Sequence, residues 1–159
     1  MARTETMIAD AEPARAASAA LLEGYLVEQQ VGFLLRRANQ RHTALFQDAM
    51  AALDLTPTQF TALVKVVEHG SLTQNLLGRL AAMDPATIQG VVGRLLARAL
   101  LARTDDPLDR RTVVLAPTEA GLALAAKAVT IARRITETTL APLDAAERKR
   151  FLSLLRKLA

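Results

Sequence analysis

The sequence carries helix-start signals at several places, and these constrain its fold more than any other feature. In two of them a residue that favours the N-cap position is followed by proline, which favours the first helical position. Elsewhere a capping threonine or a capping box precedes a segment with helical apolar spacing. The signals are Thr56-Pro57, Thr73, Asp84-Pro85, Thr118 and the pair Asp144 and Glu147. They predict helices over about 57–69, 74–82, 85–96, 118–139 and 144–158.

A longer apolar stripe precedes these segments. Apolar residues recur with helical spacing from Tyr25 to Leu53, which predicts a helix about 43 Å long at about 1.5 Å per residue. A small domain rarely needs so long a helix for its own core. Residues 1–24 are rich in alanine and lack a sustained stripe, so we expect a flexible N-terminal tail.

The segment that begins at Asp84 has two contrasting faces. One face is a continuous apolar stripe formed by Ile88, Val91, Val92, Leu95 and Leu96. The other carries small and hydrogen-bonding residues where a solvated helix usually carries Glu and Lys: Ala86, Thr87, Gln89, Gly90, Gly93 and Arg94. This polar face is predicted to approach another molecule closely.

A β-hairpin follows. Short strand-like runs at 101–104 and 112–115 flank a charged tip at 105–111. The predicted order is ααααββαα, a mainly α protein with a small β-hairpin. The composition agrees, because 51% of the residues are hydrophobic but only 3% are aromatic, and Ala and Leu favour helices.

Several classes of function are disfavoured. The chain has no cysteine and only two histidines, so no disulfide framework, thiol switch or transition-metal site is expected. No phosphate-binding glycine loop or catalytic triad stands out, so we expect neither an enzyme nor a cofactor. No signal peptide or spanning segment is evident, which predicts a cytoplasmic protein without a membrane partner. The net charge of +4 favours polyanions only weakly.

The sequence resembles the MarR family of bacterial regulators over about residues 25–158. Each motif that carries the resemblance is weak alone, but together they stand at the right spacings within the matching helix order. They are Leu55-Thr56-Pro57-Thr58-Gln59-Phe60, Asp84-Pro85-Ala86-Thr87 with Arg94-Leu95, Asp109-Arg110-Arg111, and Leu115-Ala116-Pro117-Thr118-Glu119-Ala120-Gly121.

The resemblance implies a division of the chain into functional parts. A winged helix-turn-helix lobe would occupy about 55–117, and dimerisation helices about 25–53 and 118–158. The expected protein is a homodimer that represses transcription from a pseudo-palindromic operator in double-stranded DNA.

Candidate DNA contacts lie in three places. Helix N-termini and hydroxyl or amide side chains suit phosphates and base edges, and arginine suits guanine or a narrow minor groove. By the family pattern Arg111 enters the minor groove, and Arg110 would reach a phosphate or share that role. Asp109 would repel phosphate, so we expect it to orient an arginine. The full set is Ser71, Thr73, Gln74 and Asn75 before and within the third helix, Thr87, Gln89, Gly90 and Arg94 on the fourth, and Asp109, Arg110 and Arg111 at the hairpin tip.

A ligand site is also expected, because the resemblance implies a pocket between the dimer helices and the DNA-binding lobe. Arg36, Arg37, Arg41 and His42 lie on the first helix near its expected mouth. Guanidinium groups suit carboxylates, so the predicted ligand is a small organic anion, an aromatic acid or its acyl-CoA thioester, that releases the operator. Two alternatives need no ligand. His42 would then be a core or interface histidine, and the three arginines would form a solvated face.

Two other functions fit the same architecture. A winged-helix domain can serve as the dimerisation module of an enzyme such as a methyltransferase, or as a protein-interaction module without a direct role at DNA. The first would require a catalytic domain, and the basic hairpin tip Asp109-Arg110-Arg111 favours DNA over both.

Overall fold

The computed structural model describes residues 21–105 and 113–158. The chain divides into a first unit that ends at Gln40 and a second that begins at Arg41. The helices are α1 (Val31–Met50), α2 (Pro57–His69), α3 (Gln74–Leu80), α4 (Pro85–Ala97), α5 (Glu119–Thr139) and α6 (Ala145–Leu155), and the strands are β1 (Leu101–Asp105) and β2 (Val113–Pro117). The predicted fold class is confirmed.

The first helix is shorter than predicted. Gln30 has an extended backbone (φ −75°, ψ 140°), which separates a short 3-10 turn at Val27–Gln29 from α1. A second 3-10 turn, Ala51–Leu53, follows α1 and ends at Asp54 in the left-handed region (φ 48°). The continuous helix therefore has 20 residues and is about 30 Å long. Apolar periodicity persists through 3-10 turns, so it does not reveal such breaks.

The predicted caps form. Thr56 Oγ1 accepts from the Gln59 N–H at 3.3 Å, and Gln59 Oε1 accepts from the Thr56 N–H at 3.0 Å, which completes a capping box at α2. Asp144 and Glu147 form the predicted box at α6. These bonds satisfy amides that the helix itself leaves without a partner, so the helix starts are fixed locally.

The strands form a two-stranded antiparallel ladder from Leu101 opposite Pro117 to Asp105 opposite Val113. Leu72, just before α3, joins this ladder through an isolated bridge, since its N–H and carbonyl both bond to Leu115 at 3.0 and 2.8 Å. The bridge fixes the hairpin against the beginning of that helix.

The second unit has two adjoining apolar clusters. The larger one joins α2, α3, α4 and the hairpin around the fully buried side chains of Leu63, Leu77 and Leu95. The smaller one joins α1 and α5 around Phe46, Met50 and Ile135. Burial of such side chains contributes about 1.5–3 kcal/mol each, so these clusters hold α4 and α5 in place.

Other apolar faces stay uncovered within the single chain. The apolar spacing of the last helix predicts burial of Phe151, Leu154, Leu155 and Leu158. Leu155 is partly buried, but Phe151, Leu154 and Leu158 are 41%, 49% and 73% exposed. The first unit exposes Leu21, Leu22, Tyr25, Leu26, Val27, Val31, Leu34 and Leu35. The prediction of burial is therefore wrong for Phe151, Leu154 and Leu158 in the single chain, which leaves their stripe exposed.

Candidate nucleic-acid interface and adjoining cavity

The polar face of α4 is exposed as a unit. Thr87, Gln89, Gly90 and Arg94 are all exposed, whereas Ile88 and its apolar companions on the opposite face are buried. The helix is held on one side by the larger apolar cluster, so its other side is presented on a rigid support.

The beginning of α4 is fixed by Asp84. Its Oδ1 accepts from the Thr87 N–H at 2.9 Å, and its Oδ2 accepts from the Thr87 hydroxyl at 2.6 Å. The side-chain hydrogen bond from Thr87 is the main cause that lowers the pKa of Asp84, and the bond from the Thr87 amide adds to it. The Thr87 proton is thus engaged, and its hydroxyl oxygen offers lone pairs to an incoming donor.

Gly90 and Gly93 add no side chain to the polar face of α4. A methyl group at Gly90 would lie 3.8 Å from the Arg94 guanidinium, so that side chain lies along the helix beside Gly90. A methyl group at Gly93 would meet nothing within 4 Å. The backbone at Gly93 is therefore open to close approach by another molecule.

The region before and within α3 supplies a second set of polar groups. Asn75 is exposed, and Ser71, Thr73 and Gln74 are partly buried. Thr73 Oγ1 accepts from the Leu76 N–H at 3.3 Å, so this hydroxyl is a helix cap in the structure.

Arg103 is an exposed basic residue that the sequence analysis missed. It lies on β1 and lines a groove of about 360 Å³ together with Gln74, Val113 and Leu115. The sequence analysis considered only the tip of the hairpin. A basic residue on a strand beside a predicted DNA-binding helix could have indicated Arg103 as a further candidate. Asp109, Arg110 and Arg111 lie outside the described residues.

A separate cavity of about 170 Å³ lies within the second unit. It has aromatic walls, because Phe46 of α1 and Phe60 of α2 pack edge to face with ring centroids 5.6 Å apart. Its lining is His42, Phe46, Pro57, Phe60, Thr61, Ala132, Ile135 and Thr136. An engineered apolar cavity of about 150 Å³ holds one benzene, so this cavity suits a single aromatic ring.

His42 is held by Thr139. The Thr139 hydroxyl donates to the Ile135 carbonyl at 2.8 Å, and its oxygen lies 2.9 Å from His42 Nδ1. With the hydroxyl proton engaged by the Ile135 carbonyl, the contact suits a neutral His42 that donates from Nδ1 to the Thr139 oxygen. In the neutral ring Nε2 is then an acceptor.

Thr61 and Thr136, which also line the cavity, present hydrogen-bond acceptors as His42 does. Thr61 Oγ1 donates to the Pro57 carbonyl at 2.9 Å, and Thr136 Oγ1 donates to the Ala132 carbonyl at 3.1 Å. Both oxygens therefore offer lone pairs rather than protons. Sequence reasoning found His42 but missed Phe46, Phe60, Thr61 and Thr136 as lining residues, because helices distant in sequence bring them together.

The arginines predicted for the ligand site contact α5 or the Phe33 ring. Arg41 donates to the carbonyls of Thr138 and Thr139 at 3.4 and 3.3 Å, near the end of α5, and is absent from the cavity lining. Arg36 and Arg37 belong to the first unit, where their guanidinium carbons lie 5.1 and 6.0 Å from the Phe33 ring centroid.

Two absences apply to the part of the chain that the structure describes. No helix there has both the length and the apolar character needed to cross a bilayer. Within the same ranges, no group of three or more potential ligand side chains is placed to hold a metal ion.

Known proteins are similar to this chain in sequence and in fold. The MarR family matches residues 53–112. The transcriptional repressor NicR of Pseudomonas putida is 46% identical over 134 residues, which cover 84% of this chain and 85% of NicR.

Solved structures agree. A Pseudomonas aeruginosa crystal structure has a TM-score of 0.80 at 45% identity and covers 84% of this chain and 100% of its own. BpsR of Bordetella bronchiseptica, whose DNA binding is regulated by 6-hydroxynicotinic acid, has a TM-score of 0.79 at 42% identity, with 84% of this chain and 96% of BpsR covered. The chain therefore belongs to the MarR family of winged-helix transcriptional regulators.

Proposed function

We propose that this regulator is a homodimeric repressor that binds a pseudo-palindromic operator and releases it when a small aromatic carboxylic acid enters the cavity beside α1. The observation that carries the DNA-binding part is the exposed polar face of α4. Gln89 can read an adenine edge and Arg94 a guanine or phosphate, while Gly90 and Gly93 admit the DNA backbone or base edges. Ser71, Thr73, Gln74 and Asn75 are proposed as flanking contacts, and Arg110 and Arg111 as wing contacts.

The homodimer is supported by the uncovered apolar faces. Val31 is 66% exposed in the first unit and Leu158 is 73% exposed after α6. Exposed apolar surface of this kind, on each unit taken by itself, marks an interaction site. A two-fold dimer would cover the same stripe on both protomers, and would present the two α4 helices to half-sites about 10 base pairs apart.

The effector class is inferred from the chemistry of the cavity. Its volume of about 170 Å³ fits one ring, so an aromatic acid fits better than a whole acyl-CoA thioester. The acceptors of His42, Thr61 and Thr136 suit a ring hydroxyl or N–H group. 6-Hydroxynicotinic acid, the regulator of BpsR, carries such a group at the opposite end of the ring from its carboxylate, and we propose this acid or a close analogue as the effector.

The arginines have separate places in this proposal. Arg41 stabilises the end of α5, next to the Thr139 that holds His42. Arg36 and Arg37, which belong to the first unit, stay sequence-based predictions with no effector contact assigned to them.

DNA binding is tested by fluorescence anisotropy with an operator selected from random DNA. Phosphate contacts make affinity fall steeply with salt, so we expect strongly salt-dependent binding. Gln89→Ala is expected to lose about 1–3 kcal/mol at the selected operator and less on random DNA. Salt-independent binding, or none, would instead favour a protein-interaction module.

Effector release is tested by titrating 6-hydroxynicotinic acid into the complex, with nicotinic acid as the analogue that lacks the hydroxyl group. Thr61→Val removes an acceptor of the cavity and is expected to raise the effector concentration needed for release. Thr130→Val is the matched control, because Thr130 makes the same bond to the carbonyl four residues earlier, at 3.1 Å, and does not line the cavity. If neither acid releases DNA, the effector assignment fails while operator binding stands.

A further inference from the structure

The C-terminal ends of α1 and α4 are joined by one side chain. Arg98, the C-cap of α4, donates from Nη1 to the Asp54 carbonyl and from Nη2 to the Leu53 carbonyl at 3.1 Å. The two carbonyls lie at the end of the 3-10 turn that continues α1. Residues more than 40 positions apart are thus connected by a fork of hydrogen bonds.

The main-chain contacts matter more than the ion pair. Arg98 Nη1 lies 3.7 Å from Asp54 Oδ2, but the Asp54 side chain is 92% exposed. An exposed pair of this kind contributes little. Arg98 itself is 31% exposed, and a cation at the carbonyl end of a helix is favourable. The guanidinium therefore binds backbone carbonyls, and an asparagine at residue 54 keeps these in place because it also adopts the left-handed conformation of Asp54.

The hydrogen bonds of the Arg98 fork are directional, whereas apolar contacts are not. A planar guanidinium with two engaged donors fixes both distance and angle between the groups it joins. At one end is α4, with its exposed polar face; at the other is α1, whose His42 and Phe46 line the cavity. Met50, at the end of α1, is fully buried, so this end of α1 is also held by the core.

We propose that Arg98 is a positioning residue that sets the orientation of α4 relative to the end of α1, and so passes a displacement of α1 to the DNA-binding face. The inference rests on the proposed function, because it assigns how the cavity and α4 are coupled. Coupling between two sites requires an element that responds to both, and the Arg98 fork bridges the helices that belong to each.

The test measures how strictly the full-length protein recognises the spacing between half-sites. This recognition depends on the orientation of α4, and the measurement needs no effector. Operator affinity is measured on the selected operator and on the same DNA with one base pair inserted at its centre. The proteins are wild type, Arg98→Met, Arg98→Lys and Asp54→Asn, with melting temperatures recorded for all four. Arg98→Met keeps an unbranched apolar stem comparable to that of arginine but removes the guanidinium and with it the fork.

We expect Arg98→Met to bind the selected operator about tenfold more weakly, within the usual range of coupling between sites, and to lose most of its preference for the correct spacing. Arg98→Lys should recover part of the preference because its ammonium can reach one carbonyl. Asp54→Asn should behave as wild type because both carbonyls remain. If Arg98→Met does not fold, the same comparison is decided by Arg98→Lys, which should show an intermediate preference.

A wild-type spacing preference in Arg98→Met, or an equal loss on both DNAs, would overturn the inference while leaving operator binding intact. Loss of the preference in Asp54→Asn would also overturn it, since the carboxylate would then be the important partner. Failure of the wild-type protein to bind any operator would refute the proposed function, and the inference with it.

Discussion

The hydroxyl oxygen of Thr139 lies 2.9 Å from Nδ1 of His42 and itself donates to the Ile135 carbonyl. This contact holds the His42 ring and suits a proton on Nδ1. We predict that Thr139→Val weakens effector binding by about 1 kcal/mol, the typical contribution of one hydrogen bond, and leaves operator affinity unchanged. Calorimetric titration with 6-hydroxynicotinic acid measures the first effect and anisotropy the second. Unchanged effector binding would show that the orientation of His42 is irrelevant.

Gly93→Ala is expected to separate stability from DNA binding. Alanine is favoured over glycine in a helix by about 1 kcal/mol, and the added methyl group meets no atom of the protein within 4 Å. The variant should therefore be more stable in urea, yet bind the operator more weakly because the methyl group occupies the surface that faces DNA. Unaltered operator affinity in Gly93→Ala would remove this surface from the interface.

Gly121→Ala is expected to destabilise the protein. The new methyl carbon would lie 2.0 Å from the Leu100 carbonyl oxygen, and backbone must move to relieve that overlap. Overpacking of this kind costs about 1–3 kcal/mol or more. Urea denaturation checks the prediction, with the exposed Ala123→Ser on the same helix as a control for ordinary surface change. A Gly121→Ala midpoint equal to wild type would contradict the close approach of α5 to Leu100.

Ala99→Gly is expected to stabilise the protein. Ala99 follows the C-cap of α4 with φ 52°, a conformation that costs an L-residue about 1–2 kcal/mol and that glycine adopts freely. The gain should approach 1 kcal/mol once the greater freedom of glycine in the unfolded chain is included. The control Ala123→Gly, in the middle of α5, should be destabilising by a similar amount. Thermal unfolding distinguishes the two, and a loss of stability in both would contradict the prediction.

The Asp84 cap is expected to make stability depend on pH. Its pKa is lowered in the folded protein, mainly by the hydrogen bond from the Thr87 side chain. The stabilisation is therefore present above the ordinary aspartate pKa of 3.8 and is lost as the pH falls through the lower, folded value. Asp84→Asn should accordingly be less stable than wild type at neutral pH, with the difference shrinking in acid. Melting temperatures along a pH series test this, and a constant difference would exclude the carboxylate as the cause.

Local sequence determined where most helices begin. Thr56, Asp84, Thr118 and Asp144 each bond to amides within three residues, so the necessary information lies within a single turn of chain. The alternation of buried and exposed faces on α4 is equally local, because it follows from a period of 3.6 residues. The family resemblance came from the same motifs read in order.

The tertiary structure alone decided which distant groups meet. The cavity joins residues of α1, α2 and α5, and the Arg98 fork reaches carbonyls more than 40 residues away. Arg41, a predicted ligand residue, bonds to the carbonyls of Thr138 and Thr139, which lie 97 and 98 residues further along the chain. Such pairings depend on how helices pack, and periodicity specifies only which face of each helix is apolar, so the sequence could predict the face of α4 but neither the cavity nor the fork.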